Sequence, residues 1–296
     1  MKLLFAFLFL AFFFSQSCRN PLAPSDNAHI YHSDYEFLDN EPEATVFTPP
    51  LLTEPTLTVG SAPHTLVTRA QFIFSNMTYT KYEHYGKREM NDTTGRYVYD
   101  CSGFVGDFVI KQVLPKHYEN LKNNAFMFHP DSHPRAWGFY DYFNHIYLHN
   151  PSNKYWHVFT NPWELQKGDI IVVKYNETWR NKRIADGKHT STGHVMLAWG
   201  HPVRDDVLPY EFTIKVLDSA GSGHYNDTRD EPGSASKDGS GIGHGWMKYK
   251  CDLNPINPKA IEYRWKLSTT WYERWDGGSS SHKRLEGIIF ARPRTL

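Results

Sequence analysis

Apolar positions along the chain follow two spacings, which divide it into helices followed by strands. Between Leu66 and Phe74, apolar residues recur at the spacing of one helix face. From Phe104 to Val113 they recur three and four positions apart, which predicts a helix that follows Cys101 and ends before Pro115. Two intervening stretches show no clear period and are predicted to be irregular, 80–99 and 117–162.

Short segments rich in β-branched and aromatic residues predict strands in the second half of the chain. The four clearest are Asp169–Tyr175, His194–Trp199, Glu211–Asp218 and Glu286–Arg292. Trp246–Lys250 is a fifth candidate, and the Gly- and Ser-rich segment from Ala220 to Gly245 is predicted to be a long loop. Helices followed by a meander of strands favour an α+β fold with an antiparallel sheet.

The first residues have the pattern of a secretory signal peptide, expected over residues 1–17. Lys2 precedes an unbroken apolar run, Leu3–Phe14, which is shorter than the roughly 20 residues that cross a bilayer. Small residues precede Cys18, an arrangement that resembles a bacterial lipoprotein signal with Cys18 as the lipidated residue. Cleavage near Ser17 by an ordinary signal peptidase is the alternative. Both interpretations predict export, and the first adds a membrane anchor.

Composition distinguishes an N-terminal arm from the domain that follows it, and it bears on which ligands the protein is expected to bind. Residues 18–62 are rich in Pro, Asp, Glu and Ser and are predicted to form a tether or irregular arm, before a domain over 63–296. The 32 basic and 32 acidic side chains cancel, so no basic surplus favours nucleic acid. The histidines and cysteines match no metal-binding pattern, so neither a metal nor a cofactor is predicted.

Asp100–Phe104 places a thiol where a polar stretch meets the predicted helix. Unpaired N–H groups and the positive end of the helix dipole stabilise a thiolate there, which predicts a lowered pKa for Cys101. A buried core cysteine is the alternative, because free cysteine is commonly buried. Cys251 is interpreted as a buried free thiol. A Cys101–Cys251 disulfide would remove the nucleophile.

A base and its orienting partner are expected at the ends of two strands. His194 opens one predicted strand and Asp218 ends the next. If these strands are neighbours, the Asp218 carboxylate can accept the imidazole N–H and fix the tautomer that faces Cys101. A histidine at a strand edge and a turn aspartate before glycine are the non-catalytic alternatives.

Three segments, taken in order, resemble the signature blocks of NlpC-type cell-wall cysteine peptidases. They are Asp100–Val105, Leu165–Ile171 and Gly193–Val195, and the resemblance covers residues 64–292. It implies a papain-like fold, related to the CHAP amidases, with the catalytic cysteine at the start of a helix packed on an antiparallel sheet. It also implies an amide bond in the peptide part of peptidoglycan as the substrate.

The same resemblance implies roles for individual residues. Cys101 would be the nucleophile, His194 the base and Asp218 the third polar residue, while Tyr79 best matches an upstream tyrosine that helps to form the oxyanion site. The chain departs from the family at Lys81–His84, where a Gly-Gly pair is usual, and in its long intervals around Cys101. An acyl or peptidyl transferase, an amidase on another substrate, or an inactive envelope-binding module therefore remain alternatives.

The polar loop after Asp218 contains three further candidate site residues, His224, Asp227 and Arg229. They could bind a substrate carboxylate, for which arginine offers a bidentate fork. They could equally form an internal ion-pair network that orders the loop.

Overall fold

The computed structural model describes residues 56–296 except 85, 132, 188–190, 206, 209, 237, 255, 268–269, 275, 278–279 and 281. The predicted signal peptide, Cys18 and the predicted arm up to residue 55 lie outside the described residues. Within the described part of the chain, no helix has the length and apolar character needed to cross a bilayer.

Three short strands that directly precede Cys101 in the sequence form a small sheet. They are β1 Tyr79–Tyr82, β2 Glu89–Asn91 and β3 Arg96–Tyr99, with β3 in the centre, parallel to β1 and antiparallel to β2. The prediction that 80–99 is irregular was therefore wrong. The side chain of Thr80 links this small sheet to the rest of the domain by accepting a hydrogen bond from the Ile242 N–H at 2.8 Å.

Nine of the described strands form one large sheet. They are β4 Trp156–Phe159, β5 Ile170–Tyr175, β6 Gly193–Ala198, β7 Val203–Arg204, β8 Glu211–Ala220, β9 Gly241–Cys251, β10 Ala260–Arg264, β11 Glu273–Arg274 and β12 Lys283–Pro293. The order is β10-β9-β8-β6-β5-β12-β11, with β4 on β12 and β7 on β8. Only the short β11–β12 pair among them is parallel.

The α-helices of the described chain lie mainly before the large sheet in sequence. They are α1 Ala62–Asn76, α2 Cys101–Gly103, α3 Lys111–Val113, α4 Pro115–Phe128, α5 Ala136–His149 and α6 Glu177–Ala185. A π-helix, Phe104–Ile110, joins α2 to α3 into one continuous helical segment. The α+β class is confirmed. The prediction of irregular structure over 117–162 was wrong, because α4, α5 and β4 lie there.

Two apolar cores cover opposite faces of the large sheet. Alternate residues of β5 contribute to each, with Ile170 and Val172 facing the helices and Ile171 and Val173 facing the other layer. All six β5 residues are buried. A strand covered on both faces has an unbroken apolar sequence instead of an alternating one, which explains why this strand was visible in the sequence.

Candidate active site

Cys101 is the first residue of α2, directly after an aspartate that caps the helix. Asp100 Oδ1 accepts the Gly103 N–H at 2.8 Å and the Ser102 hydroxyl at 3.0 Å, as an N-cap carboxylate does. Gly103 is required here by space, since a Cβ at this position would lie 1.2 Å from the ring of Tyr99. The Asp100–Gly103 turn therefore fixes the backbone that presents the thiol.

The thiol of Cys101 is buried and free, with 5% of the residue exposed. Burial raises its pKa well above the ordinary value, and the Asp100 carboxylate acts in the same direction. The backbone N–H groups of Val195 and Ser102 act against these effects by hydrogen bonding to the sulfur. The expectation of a lowered pKa was wrong, because desolvation outweighs the helix N-terminus.

His194 and Asp218 meet because their strands are neighbours. β6 and β8 pair antiparallel, with Leu197 opposite Leu217. His194 Nε2 lies 2.5 Å from Asp218 Oδ2. The carboxylate only accepts, so Nε2 carries the proton and Nδ1 is the nitrogen that can take up another. His194 directly precedes Val195, whose backbone N–H acts to lower the pKa of the Cys101 thiol, and α2 contacts β6, so Cys101 and His194 belong to neighbouring elements.

Gly193, directly before His194, is held in a backbone conformation that residues with a Cβ rarely adopt. Its φ is +143°, and a Cβ would lie 2.0 Å from the Val173 carbonyl oxygen. We expect Gly193→Ala to lower the free energy of unfolding by about 2 kcal/mol or more, through strain and displacement of β6 from β5. Urea denaturation measures it. Gly187→Ala is the control, because Gly187 has a positive φ but open space, and an equal loss would contradict the steric argument.

Asp218 is the centre of a buried charged network. Its Oδ2 contacts His194 and also His224 Nε2 at 3.0 Å, while its Oδ1 accepts from Arg229 at 2.9 Å. Arg229 also donates to Asp227 and to the Gly241 carbonyl oxygen. Burial by itself would raise the pKa of Asp218, but His224 and Arg229 hold it well below its usual range. The carboxylate is therefore ionised and fixed at both oxygens.

The three loop residues of this network do not form a surface for a substrate carboxylate. His224, Asp227 and Arg229 are 1%, 3% and 3% exposed, and their polar groups bond to one another, to Asp218 and to the backbone. Their assignment as substrate-binding residues is therefore corrected. They form the internal ion-pair network that was the alternative for this loop. The Arg229 fork is fully used inside the protein.

Trp265 covers the network on the face of the sheet opposite to the helices. Its indole ring lies 4.9 Å from the His194 ring and 4.2 Å from the His224 ring, between centroids. Its N–H donates to the Gly223 carbonyl oxygen at 3.2 Å. Trp265 is completely buried, so it excludes water from this side of both imidazoles. Trp265 was not among the predicted site residues, because it follows a strand, β10, that had not been predicted.

Tyr79 lies away from Cys101. It begins β1, where Arg96 stacks on its ring at 4.3 Å. Tyr82, at the other end of β1 and about 10 Å further along it, is in register with Tyr99, which directly precedes Asp100. The choice of Tyr79 is therefore corrected, and Tyr82 is the tyrosine of this strand nearest to the cysteine. Tyr82 could have been identified from the sequence only if β1, β3 and the register between them had been predicted.

His84, which was not among the predicted site residues, is a second histidine next to the segment that contains Cys101. Its Nδ1 lies 3.0 Å from Asp100 Oδ2, on the carboxylate oxygen that the helix cap leaves available. Burial raises the pKa of Asp100, but the His84 contact helps to lower it below the usual value. The carboxylate next to the thiol is thus charged, which is consistent with its effect on the pKa of Cys101.

Metal-binding geometry is not found around this site. Within the described ranges, no group of three or more His, Cys, Asp or Glu side chains is placed to hold a metal ion. Comparisons of the chain with models of known protein families, with curated proteins and with solved structures find no match.

Proposed function

We propose that the protein is an exported cysteine hydrolase of papain-like fold that cleaves an amide bond, in the peptide part of peptidoglycan. The observation that supports the proposal is the His194–Asp218 contact on the neighbouring strands β6 and β8, next to Val195, whose backbone N–H acts to lower the pKa of the Cys101 thiol. A nucleophile, a base and a residue that orients the base are the three parts that acyl transfer needs.

The first half of the reaction forms a thioester. The Cys101 proton passes to His194 Nδ1 as the sulfur attacks the carbonyl carbon, which gives a tetrahedral oxyanion. The backbone N–H of Cys101, at the start of α2, is the donor that we assign to this oxyanion. The intermediate then collapses, the C–N bond breaks, and His194 returns the proton to the leaving amine.

Water completes the cycle. It attacks the thioester carbon while His194 Nδ1 takes its proton, and the C–S bond breaks to release the acid and restore the thiol. Because Asp218 holds the Nε2–H of His194 throughout, the same nitrogen serves in both halves. Since the thiol rests in its protonated form, His194 acts as a general base in the attack and not as the partner of a preformed thiolate.

Cleavage of a mixture of purified muropeptides, followed by mass spectrometry, tests the proposal. We expect shorter peptides that differ from their precursors by the addition of one water. The Cys251→Ala variant should give the same products, because Cys251 is a buried thiol in the core beside β9. If the muropeptides remain intact after incubation with folded protein, the proposed substrate is wrong. Amine adducts formed when an amino acid ester is added would identify a transferase instead.

A further inference from the structure

His224 has an acceptor at each ring nitrogen. Its Nε2 lies 3.0 Å from Asp218 Oδ2, and its Nδ1 lies 3.2 Å from the Trp265 carbonyl oxygen. Carboxylate and carbonyl oxygens only accept hydrogen bonds, and a neutral imidazole has one N–H to donate. Both contacts are hydrogen bonds only if the ring carries a proton on each nitrogen. This geometry fits an imidazolium in a side chain that is completely buried.

The buried charges balance with that protonation state. Two carboxylates, Asp218 and Asp227, face the Arg229 guanidinium, which contacts both at 2.9 and 2.7 Å. Arg229 alone would leave one negative charge in excess in a region where all of these side chains are buried. An uncompensated buried charge is strongly destabilising. A positive His224 brings the total of the four side chains to zero.

We propose that His224 is cationic in the resting protein and acts as a positioning residue: it fixes Asp218 and offsets its charge, so that His194 and Cys101 rest as a neutral imidazole and a neutral thiol. The assignment of His194 and Cys101 as base and nucleophile rests on the proposed function. The protonation of His224 does not.

The electrostatic surroundings of His194 agree with this role. Burial lowers the pKa of His194, the Asp218 contact raises it, and the positive charges of His224 and Arg229 lower it again. An Asp218 left without His224 would hold a proton on His194 more strongly. Several titratable groups surround the network: Asp218 on β8, His194 on β6, Cys101 on α2, Tyr249 and His244 on β9, and Asp227, Arg229 and Asp230 on the loop.

Nitrogen NMR of the histidine rings in the complete protein tests the protonation state directly. We expect both ring nitrogens of His224 to carry protons near pH 7, with the signal assigned by its loss in His224→Gln. His194 should show a single protonated nitrogen, Nε2, under the same conditions. A singly protonated His224 would overturn the proposal.

A charge-removing variant tests the consequence for the thiol. His224→Gln keeps an N–H donor for Asp218 but removes the positive charge. Asp218 would then hold a proton on His194, and the resulting imidazolium would favour the Cys101 thiolate. In a Cys251→Ala background, we therefore expect iodoacetamide to alkylate Cys101 on the order of tenfold faster below neutral pH. The pH at which the alkylation rate is half of its maximum should shift down. His244→Gln is the control, because burial lowers the pKa of His244 to about 4 and a neutral imidazole is removed. An unshifted midpoint in His224→Gln would overturn the proposal.

These readouts separate the inference from the proposed function. A merely structural role for His224 predicts faster alkylation at every pH without a shift of the midpoint, because the site is loosened. The ring-nitrogen and alkylation experiments need no substrate, so they keep their meaning if muropeptides are not cleaved. Cleaved muropeptides with a neutral His224 would uphold the hydrolase and overturn the inference.

Discussion

Replacement of Cys101 by alanine is expected to abolish turnover of the amide substrate while the protein remains folded. The sulfur forms the covalent bond of the proposed thioester, and no other described thiol can replace it, because Cys251 belongs to a separate core beside β9. Loss of a nucleophile in enzymes with this arrangement lowers kcat by about 10⁴-fold or more. Initial rates on muropeptides, measured beside the circular dichroism of the same samples, give the comparison.

Two further variants make this result specific. Cys251→Ala removes the other described thiol and should keep its rate within a small factor of the original protein. Cys101→Ser keeps the size of the side chain but replaces the thiol by a hydroxyl of much higher pKa, and should be nearly as inactive as Cys101→Ala. A Cys101→Ala variant that turns over substrate at an undiminished rate would eliminate the thioester mechanism.

Arg229→Met should lower the free energy of unfolding by about 3–5 kcal/mol, the usual loss when one partner of a buried ion pair is removed. The Arg229 side chain is completely buried and bonds to Asp218, to Asp227 and to the Gly241 carbonyl oxygen. Methionine fills a similar length but satisfies none of these acceptors. Two buried carboxylates would then lose the guanidinium that donates to both of them. Denaturation in urea, followed by tryptophan fluorescence, measures the change.

Lys283→Met is the matched control for Arg229→Met. The Lys283–Asp276 pair has a similar distance, 2.8 Å, but its side chains are 43% and 52% exposed. Water screens such a pair, so its loss should change stability little. Equal losses in the two variants would show that the Arg229 network is not the stabilising feature that its burial indicates. A stable Arg229→Met protein would also contradict the charge balance assigned to His224.

Local patterns predicted the elements in which the buried positions follow one regular spacing or form one unbroken apolar run. α1 has one buried face, at Leu66, Ala70 and Ile73, and β5 is buried on both sides, so both were recognisable as short-range patterns. α5 was missed although Phe139, Tyr142 and Ile146 follow helical spacing. Its aromatic residues also occupy other positions, such as Tyr147, and they blur the contrast between its two faces.

The same distinction between local patterns and tertiary contacts applies to the catalytic candidates. Cys101 at the start of a helix, His194 at a strand start and Asp218 near a strand end are local features, and the sequence alone singled them out as candidates. Their meeting depended on the pairing of β6 with β8, which the sequence indicated only as a condition. Tyr79 was the wrong tyrosine because the register of β1 with β3 decides which residue lies beside Cys101, and register is not a local property.

Only the tertiary structure decided the charge state of the site. The sequence identified a thiol at a helix start, a setting that lowers a thiol pKa when water remains nearby. Folding buries that thiol beside Asp100 and surrounds Asp218 with His224 and Arg229, from a loop beyond the end of β8. Desolvation and the balance of buried charges depend on every group that packs around a side chain, so they arise from contacts between distant segments and not from any segment alone.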